Sequence, residues 1–387
     1  MWRRVATARL QSLAQGFPAV LILGARQVGK TTLARAAFRT CPYADLEEPR
    51  TRALFRDDPT FQVENRATPS LILDEVQFVP EVFSALRGLI DARSRAMGRF
   101  ILLGSAQPSL VRGVSETLAG RVGILDLDPL TAHEVAHGRE RRSWADVWLR
   151  GGFPGPLGTG DFREWWESYL RTYVERDLPA LGVGADPMLL RRLLTMLAHS
   201  QSGILNTSQL GNSLGVSHHT ISRYVDVLEQ TYLLRRLPPY FRNVGKRLVK
   251  SPKVYLRDTG LLHHLLNITT RVDLDGHPIR GASWETFVIE DVLRRERLAH
   301  PRSQFFYWRT AAGAEIDLVV ERGAHRFAIE VKSARADKPR AILALASAAA
   351  DVGARRSYLV DQGEGQDPLQ KDMQRRGFAT DLTWLPD

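Results

Sequence analysis

The stretch "AVLILGARQVGKTTLARAA", residues 19–37, decides how the N-terminal part of this chain folds. It opens as a short strand of the buried type and closes as a helix pattern. Between the two stands Gly24-Ala-Arg-Gln-Val-Gly29-Lys30-Thr31, which is G-x-x-x-x-G-K-[ST] in the strand–loop–helix setting that marks a P-loop. The glycines let backbone N–H groups close around phosphate oxygens, and the helix N-terminus adds its positive end. Lys30 is placed to reach the β- and γ-phosphates, and Thr31 offers a hydroxyl to Mg²⁺. Gly24, Gly29, Lys30, Thr31 and Thr32 are therefore candidate nucleotide-binding residues, with ATP and Mg²⁺ as the expected cofactors. The plainer reading of the same residues is a structural glycine turn.

Working outward, "SLILDEVQ" at 70–77 reads as a second strand ending in Asp74-Glu75. Open α/β sheets place ligands at the C-terminal ends of their strands. Asp74 suits a water-bridged Mg²⁺ role and Glu75 suits polarising an attacking water. A third strand, "RFILLGSAQ" at 99–107, ends at Ser105, and another, "RVGILDLDPL", follows a helix-like segment. Alternating strands and helices over 1–130 predict a parallel, doubly wound sheet. The order resembles an AAA-type ATPase core. That resemblance implies a γ-phosphate sensor at Ser105 and an arginine finger at Arg121 that reaches a neighbouring subunit's nucleotide. Arg112 and Arg176 compete with Arg121 for that role, and a surface charge before a strand is its plainer reading. A finger supplied between subunits makes hydrolysis depend on a homo-oligomer, a ring being the natural form.

Lys plus Arg number 53 against 43 Asp plus Glu, a net charge of +10. Such a balance points first to a polyanion such as nucleic acid, and second to an anionic membrane surface. The aliphatic tract "AILALASAAA" at 341–350 is too short for a bilayer that needs ~20 apolar residues, and reads as a surface-packed helix. The basic N-terminus lacks the apolar core of a signal peptide. A single Cys, Cys41, excludes an internal disulfide framework and a cysteine metal cluster. A cytoplasmic protein is the expectation, with no membrane partner.

A Gly/Pro-rich tract, "LRGGFPGPLGTGDF" at 149–162, breaks the pattern and reads as a boundary or hinge, with helical segments after it. In "NTSQLGNSLGVSHHTISRYVDVLEQTYLLRRL" (206–237), Asn206 caps a short helix, Gly215 makes a turn, and Ser217 caps a second helix that buries Ile221, Val225 and Leu228. This is a helix-turn-helix arrangement. It leaves His218, His219, Thr220, Ser222, Arg223 and Tyr224 on or near the exposed face. Residues 235–257 hold eight Lys/Arg and no Asp or Glu, and the turn Asn243–Gly245 looks like the wing of a winged helix. Arg242, Lys246, Arg247 and Lys250 join the helix residues as candidate DNA contacts. The competing reading is a protein-contact module or a lid of the ATPase.

Near the C-terminus, "TAAGAEIDLVVERGAHRFAIEVKSA" reads as a hairpin that turns at 322–325. Its charges stand among buried-type residues and so need a reason. Glu330 and Lys332 share one face of their strand, and Asp317 joins them if the arms are neighbours. Clustered carboxylates can hold Mg²⁺ while a lysine orients a metal-bound water for attack on a phosphodiester. The set resembles the PD-(D/E)xK nuclease motif, with Ile316 in place of its proline. Asp317 and Glu330 are thus candidate metal ligands. Lys332 completes the motif, and Glu285 in "GASWETFVIEDVLRR" (281–295) takes the position of a further metal-side acid. The same fold also serves as a non-cutting binding domain.

Together the P-loop, "LILDEVQ", "ILLGS", "LAGRV", "GGFP", "YVERDL", "LRDTGLL", "GASWETFVIEDVL" and "EIDLVV…IEVKSA" resemble the bacterial and archaeal AAA-family ATPases that carry a C-terminal domain of unknown function 4143. The resemblance spans nearly the whole chain. It implies an α/β protein with an AAA-type P-loop domain at 1–148, a hinge and helical lid-like segment at 149–200, a winged helix at 201–270 and a restriction-endonuclease-like domain at 271–387. An ATP-driven machine that remodels or moves along branched or single-stranded DNA is the first functional expectation. A nucleotide-gated switch that binds proteins is the second, and an ATP-regulated metal-dependent nuclease the third.

Overall fold

A computed structural model describes residues 2–92, 96–105, 113–114, 116–138, 142–180, 186–241, 248–335 and 338–379. The chain forms two compact units, Met1–Leu130 with Gln230–Leu233, and Thr131–Glu229 with Leu234–Asp387. The fold is α/β, as the sequence predicts.

The first unit is built on a five-stranded sheet of order β2-β3-β4-β1-β5, comprising β1 (Ala19–Gly24), β2 (Tyr43–Asp45), β3 (Leu71–Asp74), β4 (Phe100–Ser105) and β5 (Val122–Asp126). All neighbours run parallel. β1 and β3 are buried along their whole length, which is why they read as unbroken apolar runs rather than as alternating ones. Leu21, Leu23, Leu46, Phe55, Leu73, Leu86, Phe100 and Leu102 form the core on one side. Because β4 is inserted between β1 and β3, its C-terminal end at Ser105 lies between the P-loop and the Asp74-Glu75 pair. Ser105 is registered directly beside Gly24.

The second unit begins with helices, including Trp144–Arg150, Phe162–Thr172 and Pro187–His199. Helices Thr207–Leu214 and His218–Gln230 follow, joined through Gly215 at φ 70°. β6 (Leu234–Leu237) then pairs antiparallel with β7 (Lys253–Leu256). The long helix Arg280–Ala299 leads into a mixed six-stranded sheet of order β12-β13-β11-β10-β9-β8. Its strands are β8 (Gln304–Arg309), β9 (Glu315–Arg322), β10 (His325–Val331), β11 (Arg356–Asp361), β12 (Gln366–Gln370) and β13 (Met373–Gly377). β9 and β10 form the expected hairpin, with Arg322 opposite His325. The alanine-rich tract lies in helix Pro339–Val352, whose Leu345, Ala348, Ala349 and Val352 pack into the core of this sheet.

The tract 149–162 lies inside the second unit and is clamped. Asp258, fully enclosed, accepts hydrogen bonds from the N–H groups of Gly152 at 2.8 Å and Gly260 at 2.8 Å. The approach leaves no room for side chains: a Cβ on Gly151 would stand 2.0 Å from Asp258 Oδ1, and one on Gly260 1.9 Å from the Arg150 carbonyl oxygen. The segments "GGFP" and "RDTGLL" therefore fit each other. Beside them Ser283 Oγ accepts from Trp148 Nε1 at 2.9 Å and lies 2.7 Å from His263 Nε2. Burial holds His263 down at about 4, so its ring is neutral and donates from Nδ1 to the Leu149 carbonyl at 2.9 Å.

Gly260→Ala should lower the stability of the second unit by about 1–3 kcal/mol or more through overpacking. Gly281→Ala, in the first turn of the long helix with nothing within 4 Å of the added carbon, should leave it unchanged or raise it by at most about 0.5 kcal/mol. Urea unfolding followed by tryptophan fluorescence measures both.

Candidate functional sites

The P-loop of the first unit closes on itself as its motif requires. Gly29 at φ 102° turns the backbone into the helix Lys30–Ala37 in a conformation that L side chains rarely adopt. A Cβ on Gly24 would meet the Leu127 carbonyl oxygen at 2.4 Å. Lys30 is buried, and its ammonium donates to the carbonyl oxygens of Gly24 and Ala25, both at 3.1 Å. Burial pulls its pKa below the usual lysine range, against the opposing pull of Glu75 and Asp74. An ammonium held in this way by carbonyl oxygens is poised to accept an anion.

Thr31 Oγ1 donates to Asp74 Oδ2 at 2.6 Å, and the Glu75 N–H donates to Asp74 Oδ1 at 2.9 Å. The hydroxyl and carboxylate that would hold Mg²⁺ thus already face each other. Glu75 follows the end of β3 in the left-handed region at φ 51°, a conformation costly for a non-glycine residue and typical of functional sites. Burial raises its carboxyl above the ordinary range, against the nearby Lys30 ammonium and a hydrogen bond from Gln77. That shift favours a carboxylate able to take a proton from water. Thr32 is exposed on the first turn of the helix.

Tyr43 is a member of this site that the sequence reading missed. Its hydroxyl donates to Asp74 Oδ2 at 2.9 Å, and the Arg35 guanidinium lies over its ring at 4.7 Å from the centroid. Only the pairing of β2 with β3 brings it there. Arg121 stands apart from the P-loop. It precedes β5 at the N-terminal edge of the sheet, where it makes a two-pronged pair with Asp91 at 2.7 and 3.0 Å. Its competitor Arg112 lies outside the described residues.

In the second unit, Asn206 caps Thr207–Leu214 by accepting from Gln209 N–H at 3.0 Å, and Ser217 accepts from Thr220 N–H at 3.1 Å. His218, His219 and Arg223 are exposed, Thr220 and Ser222 half-buried, and Lys250 exposed. Tyr224 is a correction: it is buried with Ile221, Val225 and Leu228, because it falls on the core side of the helix turn. Arg242, Lys246, Arg247 and the expected wing turn lie outside the described residues.

The basic run itself needs correcting as a phosphate surface. Arg235 is buried against Glu290, Arg257 lies 3.7 Å from the same carboxylate, and Arg236 pairs with Asp226 at 2.8 Å and with Glu229. Lys253 is buried among carboxylates. These four of the eight cations already hold carboxylate partners within the chain, three of them buried, which a count of charge along the chain cannot reveal.

The hairpin carboxylates do gather. Lys253 Nζ lies 3.0 Å from Glu285 Oε1 and 3.3 Å from Asp317 Oδ1, and also pairs with Glu315. Tyr255 donates to Glu285 at 2.7 Å, Val331 N–H to Asp317 Oδ2 at 2.9 Å, and Lys332 to Glu330 Oε1 at 2.5 Å. Burial and the Asp317 charge push Glu285 up to about 7 and Glu330 up to about 8. Lys253 keeps its proton: burial opposes the charge, but Glu285, Tyr255, Asp317 and Glu315 outweigh it. Lys253, Tyr255 and Glu315 were not anticipated. A lysine heading the otherwise apolar strand "KVYL" was the available signal, by the same reasoning that singled out Asp317.

A family model described as AAA domain matches residues 16–136. Models described as Domain of unknown function (DUF8612) and Domain of unknown function (DUF4143) match 141–272 and 280–381. An uncharacterized protein of Mycobacterium tuberculosis is 40% identical over 372 residues, covering 95% of this chain and 81% of the relative. An uncharacterized protein of Haemophilus influenzae is 24% identical over 213 residues, covering 50% of this chain and 52% of the relative. Among solved structures, the Walker-type ATPase of Pyrococcus abyssi matches with a TM-score of 0.46 at 16% identity, over 69% of this chain and 96% of that one.

Two outcomes are expected. Glu75→Gln should slow ATP turnover by about 10²-fold or more while ATP still binds, and Tyr43→Phe should slow it less, by a factor of roughly 2–10, the effect of one lost hydrogen bond to Asp74. Steady-state phosphate release and nucleotide titration separate the two effects. The second outcome concerns pH. The folded pKa values of Glu285 and Glu330 lie above their ordinary 4.5, so the native state retains protons that the unfolded chain has released. Their contribution to stability is full below that ordinary value and is gone once pH has risen through about 7 and 8. Unfolding free energy should therefore fall by about 6 kcal/mol from pH 5 to 9, and Glu330→Gln should remove about half of that fall or more. Urea melts across that range test it.

Proposed function

This chain belongs to the family of AAA-domain proteins that carry a C-terminal domain of unknown function (DUF4143), and on that premise we propose that it is an ATP-hydrolysing machine that remodels or moves along branched or single-stranded DNA. The observation that carries the ATPase half is the convergence of Lys30, Thr31, Asp74 and Glu75 at one end of the parallel sheet. In this reading Gly24, Gly29 and Thr32 belong to the phosphate loop, and Lys30 leaves its carbonyl partners for the phosphates. Thr31 and Asp74 hold Mg²⁺, which when bound neutralises phosphate charge. Glu75 orients the attacking water and accepts its proton, and Ser105, between the two halves of the site, senses the terminal phosphate. Arg121, at the opposite edge of the sheet, serves a neighbouring subunit's nucleotide, so the working form is a homo-oligomer, a ring being the simplest closed form.

The DNA half is supported by the two short helices joined at Gly215 and followed by the β6–β7 pair, an arrangement that suits a winged helix. His218, His219, Thr220, Ser222 and Arg223 on the second helix and Lys250 beyond it would meet the phosphates or bases, and Arg242, Lys246 and Arg247 are further candidate contacts from the basic run. No helix among the described residues is long and apolar enough to cross a membrane, and we place the protein in the cytoplasm.

A second reading has its own observation. Three cations of the basic run, Arg235, Lys253 and Arg257, are buried against carboxylates and a fourth, Arg236, is paired at the surface, which favours a nucleotide-gated switch whose second unit binds proteins. ATPase rates of wild type, Lys30→Ala and Arg223→Ala, titrated with duplex, single-stranded and forked DNA, decide between the two. Stimulation by one DNA form, lost in Lys30→Ala and weakened in Arg223→Ala, is the result expected of the machine. A slow rate that no DNA changes would replace it with the switch.

A further inference from the structure

The carboxylates on β9, β10 and the helix Arg280–Ala299 are those that the nuclease resemblance assigns to Mg²⁺, and their surroundings do not fit a metal. Lys253 Nζ already stands among Glu285, Glu315 and Asp317, at 3.0 Å from the first and 3.3 Å from the last. Mg²⁺ draws oxygen ligands to about 2.0–2.1 Å and gives up water reluctantly. It cannot share these carboxylates with an ammonium that is 2% exposed. The second oxygen of Asp317 is taken by the Val331 N–H, and Glu285 also receives the Tyr255 hydroxyl. Lys332, which the motif gives to an attacking water, ends on Glu330. Lys253 and Tyr255 both engage Glu285 through Oε1, and Glu330 Oε2 is left buried without a hydrogen-bond partner. Mg²⁺ asks for several oxygens converging on one point, and the ammonium already occupies the point where Glu285, Glu315 and Asp317 converge.

We propose that Lys253 is the resident cation of this cluster: its ammonium replaces the divalent metal of a nuclease, so the C-terminal domain does not cut phosphodiesters and instead uses its acids to fasten β7. The inference is independent of the DNA-machine reading, because it concerns metal uptake in the absence of both nucleotide and DNA. It carries a corollary: removing the ammonium while leaving Glu285, Glu315 and Asp317 uncovers a divalent-cation site.

The test uses the full chain without nucleotide, titrated with MnCl₂. Free Mn²⁺ is read by electron paramagnetic resonance, and thermal unfolding is followed by tryptophan fluorescence. Wild type and Asp317→Asn should bind the same number of Mn²⁺ ions and show the same shift in Tm with Mn²⁺. Lys253→Ala should melt lower than wild type, bind one further equivalent, and regain part of its Tm with Mn²⁺. Both gains should vanish in Lys253→Ala/Asp317→Asn. An equivalent bound by wild type but not by Asp317→Asn would overturn the proposal, as would Mn²⁺-dependent cutting of plasmid DNA that Asp317→Asn abolishes. A folded Lys253→Ala that binds no extra ion would overturn it equally. Should Lys253→Ala not fold, wild type against Asp317→Asn decides alone: the asparagine oxygen still accepts from the Val331 N–H, and because its amide nitrogen then faces the Lys253 ammonium, the variant should melt lower than wild type while its response to Mn²⁺ stays the same.

Discussion

A charge taken out of water must find a partner inside the protein, and the second unit is organised around that requirement. Its long helix Arg280–Ala299 sends Glu285, Glu290 and Glu296 inward. Each meets a cation from elsewhere in the unit: Lys253 on β7, Arg235 on β6 and Arg322 at the end of β9. Arg375 on β13 repeats the arrangement with Asp361 on β11. Replacing such pairs by well-packed apolar groups is often harmless, whereas removing one partner leaves an uncompensated buried charge, at a cost of about 3–5 kcal/mol. The pairs join β6, β7 and β9 to the long helix and β13 to β11, whatever they add to net stability.

The two buried lysines show how surroundings, not residue type, decide what a charge does. Lys253 meets three carboxylates and keeps its proton firmly. Lys30 meets two carbonyl oxygens and is pulled toward losing its proton. Neutralisation is complete at the first and incomplete at the second. The first therefore reads as a fixed strut, and the second as a group whose strongest partner is supplied from outside the chain.

The P-loop and its carboxylates were legible because their chemistry depends on local order: a glycine turn, a lysine and a hydroxyl on consecutive positions, and acids at the end of an apolar strand. The hairpin was equally legible, and the register of β9 with β10 bears out its turn. Tyr43 and Lys253 escaped because each reaches its site through pairing between segments far apart in the chain, Tyr43 beside β3 and Lys253 beside β9. The basic run at 235–257 misled for the same reason. Linear charge density says nothing about which cations meet carboxylates more than 30 residues away, as Arg235 and Lys253 do. Tyr224 is a smaller case: its ring falls on the apolar side of a helix whose polar side was the one of interest.

By itself the sequence determined the parallel sheet, the phosphate loop, the paired helices and the acidic hairpin, because strand, turn and helix preferences act over a few neighbouring residues. It also placed every carboxylate that the two sites use apart from Glu315. What only the tertiary structure decided was the company those carboxylates keep. Asp74 faces Thr31 and Tyr43 across three elements of one unit, while Asp317 and Glu285 close on a lysine from another strand. Hydrogen bonds and ion pairs are short-ranged and directional, so an acid at a strand end keeps to hydroxyls and an N–H in one place and to an ammonium in the other, according to which groups the fold delivers within about 3 Å.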